Sequence, residues 1–397
     1  MAGSQRLIEN LVIGGGGPPV MAVSSAIRVL EEYMHGYSLA GIKRVAGSSA
    51  GALAATLFAA PIDEDKRQDL LDTFPGMKLL DISFHSVFSF INAFFNKVFG
   101  KQRVSYSLCE GRALSDWYAS VITGLGLDED VTFAELEGKG FKDLYIFATD
   151  LSANKIVTFC KDKTPHIKLL DALLASAAIP LVFPRKDLDI EDNGERHTIV
   201  DASIGGANFA MHAFDSAKHI DGCDHLDQET YVHNNKTFGI ITSSQSEFYT
   251  SSSSIRKIDS IWSFLSVILE YFIRRDFTNN RERDEDRVVI LEQTRGFFDF
   301  RHFTKAELLR AKNSCMRFIY KVLPGRVNES EALELSINVE DAEHSEILDA
   351  IRMRRSKSQF FSSSVDGSSS VTVDSSSESE EEPDIEVVRH AYARNSS

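Results

Sequence analysis

Short apolar runs that stop at clusters of small residues open the chain and predict a repeated strand–turn–helix unit. The first run, 7–13, ends at four consecutive glycines, and apolar residues with helical spacing follow over 20–33. A second run, 42–46, ends at a Gly-Ser-Ser-Ala-Gly turn, and an Ala/Leu-rich helical segment continues to Ala60. This order of elements predicts an α/β fold in which crossover helices connect parallel strands.

Further strands and helices are predicted along the next 260 residues or so. The strands are 144–149, 198–200, 238–242 and 288–292, and the helices are 169–178, 255–272 and 304–323. Two strands end at carboxylates, Asp150 and Asp201. A Phe-rich helix is also predicted over 84–99, either as part of the core or as a lid that dips into lipid.

Composition divides the chain into a folded body and a polar end. With 397 residues and 43% hydrophobic content, the chain is long enough for one large α/β domain with appendages. Residues 362–388 carry eight acidic side chains and no Lys or Arg, so this Ser-rich stretch is predicted to be disordered. We therefore predict a folded α/β domain over 1–325, a helical extension over 326–355 and a disordered tail over 356–397.

Charge and cysteine usage exclude several classes of protein. The net charge of −15 argues against nucleic-acid binding, which needs clustered Lys and Arg. The four cysteines lie far apart, without the spacing of a metal site, and this is typical of reduced, buried thiols. No cleavable signal peptide and no apolar run long enough to cross a membrane is visible, so a soluble protein is expected.

Gly47-x-Ser49-x-Gly51, between a predicted strand and a predicted helix, is the strongest chemical motif. A sharp strand-to-helix turn exposes the serine hydroxyl above the sheet, and glycines are needed where a Cβ would clash. The helix N-terminus then places backbone N–H groups beside a developing oxyanion. Alternatively, this is a tight glycine turn whose serine only caps the helix.

Gly14, Gly15, Gly16 and Gly17 form a second candidate element, because successive glycine amides can converge on an oxyanion. A dinucleotide fingerprint would need glycine where Pro19 stands, and the phosphate-binding loop motif would need a Lys and a hydroxyl that are absent here. A structural turn is the alternative interpretation.

A nucleophilic serine needs a base. Asp150 and Asp201 both stand at the ends of predicted strands, and only Asp201 is followed by small residues; the eleven histidines also leave a triad with histidine open. The nucleophile comes only two strands into the chain, earlier than an α/β-hydrolase would place it, so a different class of serine hydrolase is indicated. His197, His212 and His219 lie near Asp201 in sequence, but a lone His is more often structural.

Four ordered segments resemble the patatin-like phospholipases. VIGGGGPPVMAVSSAIRVLEE resembles the family's oxyanion loop and the helix after it, and RVAGSSAGAL its nucleophile elbow; ALLASAAIPLVFP and VDAS, with Asp201, resemble two later family segments. The resemblance implies a three-layer α/β/α fold with a mostly parallel central sheet. It implies a Ser49–Asp201 dyad without histidine, no cofactor or metal, and cleavage of fatty-acyl esters in phospholipids or related lipids at a membrane surface.

The chain departs from the family pattern at two places. Pro18, Pro19 and Val20 replace the usual small-basic-glycine sequence of the loop, and Ala202 replaces the glycine after the catalytic Asp. Proline has no N–H to donate, so oxyanion binding would rest on the glycines. These departures leave two alternatives to an independent hydrolase: a weakly active lipid- or protein-binding module, or an enzyme that an activating protein partner completes. Acyl transfer to another acceptor is a third alternative, because it shares the acyl-Ser49 intermediate with hydrolysis.

The acidic tail allows three interpretations. It is a solubilising segment, a phosphorylation site within 375–379, or an export signal, because Glu378-Ser379-Glu380-Glu381-Glu382 resembles the glutamate-rich signals of effectors that intracellular bacteria inject into host cells. The expected location is accordingly the cytoplasm, or a host cell reached without a cleavable signal peptide.

Overall fold

A central mixed sheet organises the described part of this computed structural model. That part comprises residues 8–33, 41–82, 107–207, 209–220, 227, 230–244, 267, 284, 286–293, 299–302 and 304–322. All of these residues belong to one compact unit, Met1–Glu343. The helices predicted at 84–99 and 255–272 and the tail lie outside the described residues, apart from position 267, and so do the predicted boundaries after 325 and 355.

Eight strands form the sheet: β1 (Asn10–Ile13), β2 (Arg44–Ser48), β3 (Asp143–Asp150), β4 (Lys155–Phe159), β5 (Lys186–Leu188), β6 (His197–Val200), β7 (Thr237–Ser244) and β8 (Val288–Gln293). The strand order is β5-β6-β3-β2-β1-β7-β8, and β4 pairs with β3. The run β3-β2-β1-β7-β8 is parallel throughout, whereas β4, β5 and β6 pair antiparallel. The predicted mostly parallel sheet is confirmed.

Seven α-helices are present among the described residues: α1 (Val23–Tyr33), α2 (Ala50–Ala59), α3 (Glu64–Asp72), α4 (Arg112–Gly124), α5 (Phe133–Leu136), α6 (Leu169–Ser176) and α7 (Lys305–Val322). Short 3₁₀ turns occur at Pro18–Ala22, Gly76–Leu79, Glu137–Lys139, Ala202–Gly205, Met211–Phe214 and Ala217–His219. The first of these turns corrects the predicted helix 20–33, whose α-helical part begins only at Val23, because two consecutive prolines start the segment.

Two hydrophobic clusters, one on each face of the sheet, hold the layers together. The larger cluster joins α1, α2, α4, α6 and α7 to side chains such as Leu11, Val45 and Ile240. The smaller cluster places Phe209, Met211 and Phe214 against Val12 and Ile241 of the opposite face. Because neighbouring strand residues point to opposite faces, Leu11 and Val12 serve different layers. The three-layer α/β/α fold is thus confirmed, with 3₁₀ turns in the third layer of the described part.

The carboxyl ends of β1 and β2 lie side by side, because the two strands are parallel and Ile13 pairs with Gly47. The glycine loop follows β1 and the serine turn follows β2, so the two candidate motifs meet at one edge of the sheet. Residue 201 follows β6, which pairs antiparallel with the end of β3. The topology therefore brings three separate sequence motifs to the same place.

Candidate active site

Ser49 occupies a strained turn between β2 and α2. Its φ of 52° and ψ of −131° lie in a region that non-glycine residues rarely adopt. Such a conformation costs about 1–3 kcal/mol and persists only where the surroundings enforce it. Ser49 stands directly before α2, so its side chain leaves the line of the strand near the helix N-terminus, where positive dipole favours negative charge.

Backbone crowding explains the two glycines of the elbow. A Cβ at Gly47 would lie 2.2 Å from the carbonyl oxygen of Gly51 and 2.7 Å from the Cβ of Ala55. A Cβ at Gly51 would lie 2.5 Å from the carbonyl oxygens of Ile13 and Gly14. The helix after Ser49 therefore packs directly on the start of the glycine loop, and no side chain fits between them.

Ser176, at the end of α6, holds the backbone of the Ser49 turn through two hydrogen bonds. Its hydroxyl accepts a hydrogen bond from the Ser49 amide at 2.7 Å and donates one to the carbonyl oxygen of Phe147 at 2.6 Å. Ser176 is fully buried. This bridge fixes the strained backbone to β3, and it means that the Ser49 N–H does not point to an oxyanion. The sequence indicated only that the segment around Ser176 resembles a later family segment; the separation of 127 residues hid the contact.

Asp201 follows β6 and is completely buried. Its Oδ1 accepts hydrogen bonds from the Ser203 amide at 2.9 Å and the Ser203 hydroxyl at 2.7 Å. Its Oδ2 has no hydrogen-bond partner among the described residues. Burial raises the pKa of Asp201 above 3.8, while the hydroxyls of Ser203 and the nearby Ser49 oppose that rise. One carboxylate oxygen next to the candidate nucleophile is therefore open to accept a proton.

Asp150, the second candidate base, has both oxygens occupied. Oδ2 bonds to His197 Nδ1 at 2.7 Å, and Oδ1 accepts from the amides of Ser152 and Ala153 at 2.8 and 3.1 Å. These contacts stabilise the turn after β3 and hold the imidazole of His197. Within the described residues, Asp201 is thus better placed than Asp150 to act on Ser49.

The glycine loop is only partly available to an oxyanion. The Gly14 N–H donates to the carbonyl oxygen of Ile240 at 2.9 Å, which corrects its assignment as a donor. Gly17 has a φ of 70° and directly precedes the 3₁₀ turn Pro18–Ala22. Proline is well tolerated at the start of a helical turn, because the N–H groups there lack intrahelical partners. Gly15, Gly16 and Gly17 stay the donors that the sequence predicts.

The Gly16 backbone lies so close to the Thr242 side chain of β7 that no Cβ fits between them. This contact gives a testable prediction. A Cβ at Gly16 would lie 1.9 Å from Thr242 Oγ1 and 3.3 Å from its Cβ. Gly16→Ala is expected to displace the loop and reduce hydrolysis by roughly 100-fold, the effect of losing one oxyanion donor. Thr242→Ala in the same chain should restore a large part of that activity, as ester turnover would show.

Thr242→Ala alone serves as the matched control, since its Oγ1 is buried without a hydrogen-bond partner among the described residues. The steric explanation is wrong if the double variant is no more active than Gly16→Ala.

A small apolar cavity of about 40 Å³ opens beside Ser49. Apart from Ser49 it is lined by Gly17, Pro18, Met21, Ala50, Leu53, Phe74, Leu79, Leu114, Trp117, Tyr118, Ala177, Ile179, Phe183 and Phe300. None of these side chains is charged. A wall of this kind favours a hydrocarbon group over a charged or sugar-like one. The cavity wall comes from the glycine loop, α2, α4 and the segment after α6.

Asp215, His233 and Asp284 form a cluster whose ligand atoms lie within 4.8 Å of one another. The guanidinium of Arg287 already binds both carboxylates, at 2.7 Å to Asp215 Oδ1 and 2.8 Å to Asp284 Oδ1. Although burial raises the pKa of Asp215, its bonds to Arg287 and His212 hold that pKa well below the usual range. We assign the cluster to the fold, because Arg287 supplies the cation.

A family model for patatin-like phospholipases matches residues 11–222, which is more than half of the chain. The chain therefore belongs to the patatin-like phospholipase family. The matched range contains the glycine loop, the elbow at Ser49, Ser176 and Asp201. At the level of the family, the chain is a lipid hydrolase and a carboxylic ester hydrolase.

Two solved structures resemble the chain in fold. VipD from Legionella pneumophila is 13% identical, with a TM-score of 0.45, and the match covers 88% of this chain and 77% of VipD. ExoU from Pseudomonas aeruginosa, solved together with SpcU from the type III secretion system, is 16% identical with a TM-score of 0.40. That match covers 90% of this chain but only 62% of ExoU. A comparison with curated proteins gave no significant match.

No helix in the described part of the chain combines the length and apolar character that a membrane crossing requires.

Proposed function

We propose that the chain hydrolyses fatty-acyl esters of phospholipids or related lipids through an acyl-enzyme on Ser49, with Asp201 as the acid–base group. The observation that carries this proposal is the juxtaposition of three features. Ser49 lies in a strained elbow, it borders an uncharged cavity, and a buried carboxylate with one unpartnered oxygen lies beside it. Together these features match the needs of a nucleophile, an acyl chain and a base.

The first half of the reaction forms the acyl-enzyme. Asp201 Oδ2 accepts the proton of the Ser49 hydroxyl as Oγ attacks the ester carbonyl carbon. The amides of the glycine loop stabilise the oxyanion that develops. The bond from carbon to the leaving oxygen then breaks, and Asp201 returns its proton to that oxygen. In the second half, water gives a proton to Asp201 and attacks the acyl carbon. The bond from that carbon to Ser49 Oγ then breaks, Asp201 returns the proton to Oγ, and free fatty acid leaves.

The raised pKa of Asp201 suits this exchange. Burial disfavours the ionised carboxylate, so the group is a stronger base than a solvent-exposed Asp and is closer in pKa to a working pH. Ser203 keeps the carboxylate in position through Oδ1, which leaves Oδ2 directed to the reaction. The Ser203 hydroxyl donates one of the two hydrogen bonds to Oδ1. Ser203 follows Ala202, which stands where the family usually has glycine.

Fluorophosphonate labelling and product analysis test the proposal. A fluorophosphonate probe is expected to label one serine, and peptide mapping should identify it as Ser49. Mass spectrometry of a mixed phospholipid incubation should show free fatty acids and lysophospholipids without added metal. Activity that disappears with EDTA and returns with Ca²⁺ would contradict the proposal.

The same experiment separates two alternative functions. Acyl transfer shares the first step, so it would give labelled Ser49 and a new acylated acceptor in place of free fatty acid. A lipid-binding module is favoured by the commitment of the Gly14 amide to β7 and by the two prolines of the loop. It would bind vesicles with no product. An activating partner would be indicated if cell extract restored turnover that the purified chain lacks.

A peripheral contact with membranes and the export role of the tail stay predictions. Residues 362–388 lie outside the described part of the chain, so the export prediction rests on the sequence pattern alone.

A further inference from the structure

The hydroxyl of Tyr118 makes no hydrogen bond with the described residues. Tyr118 lies on α4, is 3% exposed, and lines the same cavity as Ser49. A buried tyrosine hydroxyl normally has a partner. Asp201 Oδ2 is also buried without one. Because Tyr118 and Ser49 line the same cavity, a molecule bound there can accept the hydrogen bond that the Tyr118 hydroxyl does not make within the described part of the chain.

The position of Tyr118 is well fixed. Asp81 accepts hydrogen bonds from the amides of Gly111 and Ala113 at 2.9 and 3.1 Å, which anchors the start of α4. Trp117 donates to Thr73 Oγ1 at 3.0 Å, and its ring centroid lies 5.3 Å from that of Tyr118. A hydroxyl held in this way is preorganised, so it loses little freedom when it binds a ligand.

Tyr118 lies close enough to Asp201 to sense its charge. Burial, and after it the negative charge of Asp201, raise the pKa of Tyr118. The hydroxyl therefore keeps its proton at neutral pH and is a hydrogen-bond donor. The leaving oxygen of the ester must also come next to Asp201, because Asp201 returns the proton to it.

We propose that Tyr118 is a further catalytic residue whose hydroxyl donates a hydrogen bond to the leaving oxygen of the bound ester. The inference rests on the proposed function. As the carbon–oxygen bond breaks, negative charge grows on the leaving oxygen; Tyr118 stabilises that charge and Asp201 supplies the proton. Tyr118 keeps its own proton, so the balance of the reaction is unchanged. In deacylation the attacking water occupies the same place.

Two esters with the same acyl chain test the role. One carries p-nitrophenol, whose anion leaves readily, and the other carries an alkyl alcohol such as glycerol, which needs help to leave. Tyr118→Phe is expected to reduce kcat/KM for the alkyl ester by roughly 10- to 100-fold, the range of one donor to developing charge. The p-nitrophenyl ester should lose less than about threefold, because its leaving oxygen needs little stabilisation. kcat/KM covers only the steps through acylation, so deacylation does not enter.

Leu114→Val is the matched control. Leu114 also lies on α4 and lines the cavity, but it carries no polar group. It is expected to slow both esters by the same factor. Rates are expressed per site labelled by fluorophosphonate, so a partly misfolded variant does not distort the comparison.

Equal losses on both esters for Tyr118→Phe, or no loss on either, would overturn the inference while leaving the proposed function intact. If the wild type hydrolyses neither ester, the proposed function fails and the inference fails with it. A measurement on the wild type is independent of folding: kcat/KM across a series of aryl and alkyl esters should depend only weakly on the pKa of the leaving alcohol. A steep dependence would contradict the role of Tyr118.

Discussion

Ser49→Ala is expected to reduce phospholipid hydrolysis by about 10⁴-fold or more, because residues of a nucleophile–base pair act as one unit. Without the hydroxyl no acyl-enzyme forms, and Asp201 has no proton to accept. Liberated fatty acid, measured by mass spectrometry, is the direct readout. Fluorophosphonate labelling should disappear in parallel. Residual turnover above one per cent of the wild type would show that another residue is the nucleophile.

Ser49→Gly is the informative companion to Ser49→Ala. Both variants lack the nucleophile, but only glycine adopts a φ of 52° without a steric penalty. We expect the glycine variant to melt at a higher temperature than the alanine variant, by the equivalent of about 1 kcal/mol. Equal melting temperatures would mean that the elbow is not strained. The comparison therefore tests the backbone geometry separately from the chemistry.

Asp201→Asn is expected to reduce hydrolysis by about 10³-fold or more, since a positioned general base contributes 10²- to 10⁴-fold and the amide cannot accept a proton at neutral pH. Asn can still accept the two hydrogen bonds from Ser203, so the geometry around the elbow should survive. Esterase turnover at pH 7, with thermal melting as a check on folding, measures the effect. If turnover were retained, Asp150→Asn would be the next variant to test.

Asp201→Asn should also leave the protein as stable as the wild type, or more stable, at neutral pH. The folded-state pKa of Asp201 is raised above 3.8 because burial disfavours its ionised form. Between the unfolded and folded pKa values the folded state binds more protons than the unfolded state, so wild-type stability falls as pH rises through that window. Asparagine has no charge to bury. A melting temperature below that of the wild type at pH 7 would contradict this account.

The pH dependence of the wild type follows from the same shift. Asp201 must be ionised to accept the Ser49 proton, so hydrolysis should fall as pH decreases through the raised pKa. The acid limb of kcat/KM should therefore lie above the 3.8 of an ordinary Asp.

The early part of the fold could be predicted from the sequence because each element carries its own signal. Val23, Ile27 and Leu30, which are among the apolar residues with helical spacing in 20–33, are all buried on α1. The strands β1 and β2 end within two residues of their predicted ends. The elbow at Ser49 was recognisable because a strand, a glycine pair and a helix are adjacent in the chain.

The helices α3, α4 and α5 were missed at the level of the sequence, although α4 has a clear signal. Leu114, Trp117, Tyr118, Val121 and Ile122 follow the spacing of an amphipathic helix, and all are buried on α4. The only helix predicted between Ala60 and Leu169 was the Phe-rich segment 84–99. Without α4, neither the cavity wall nor Tyr118 could be recognised.

Other parts of the site depend on contacts between distant residues, which periodicity does not encode. The Ser176 bridge and the use of the Gly14 amide by β7 require the tertiary arrangement of strands. Asp150 is the last residue of β3 and Asp201 directly follows β6, so only their hydrogen-bond partners distinguish them.

The close packing of Gly51 on Ile13 and Gly14 has a consequence for how the substrate range of such a site can change. The nucleophile elbow and the glycine loop meet backbone to backbone, so neither can shift without the other. The cavity wall, by contrast, is largely made of interchangeable apolar side chains on α4 and the segment after α6. Substitutions there can alter the accepted acyl chain by single methylene groups while the reacting atoms stay fixed. Selection for a new lipid substrate can therefore change the side chains of the cavity wall, while the nucleophile elbow and the glycine loop keep their positions.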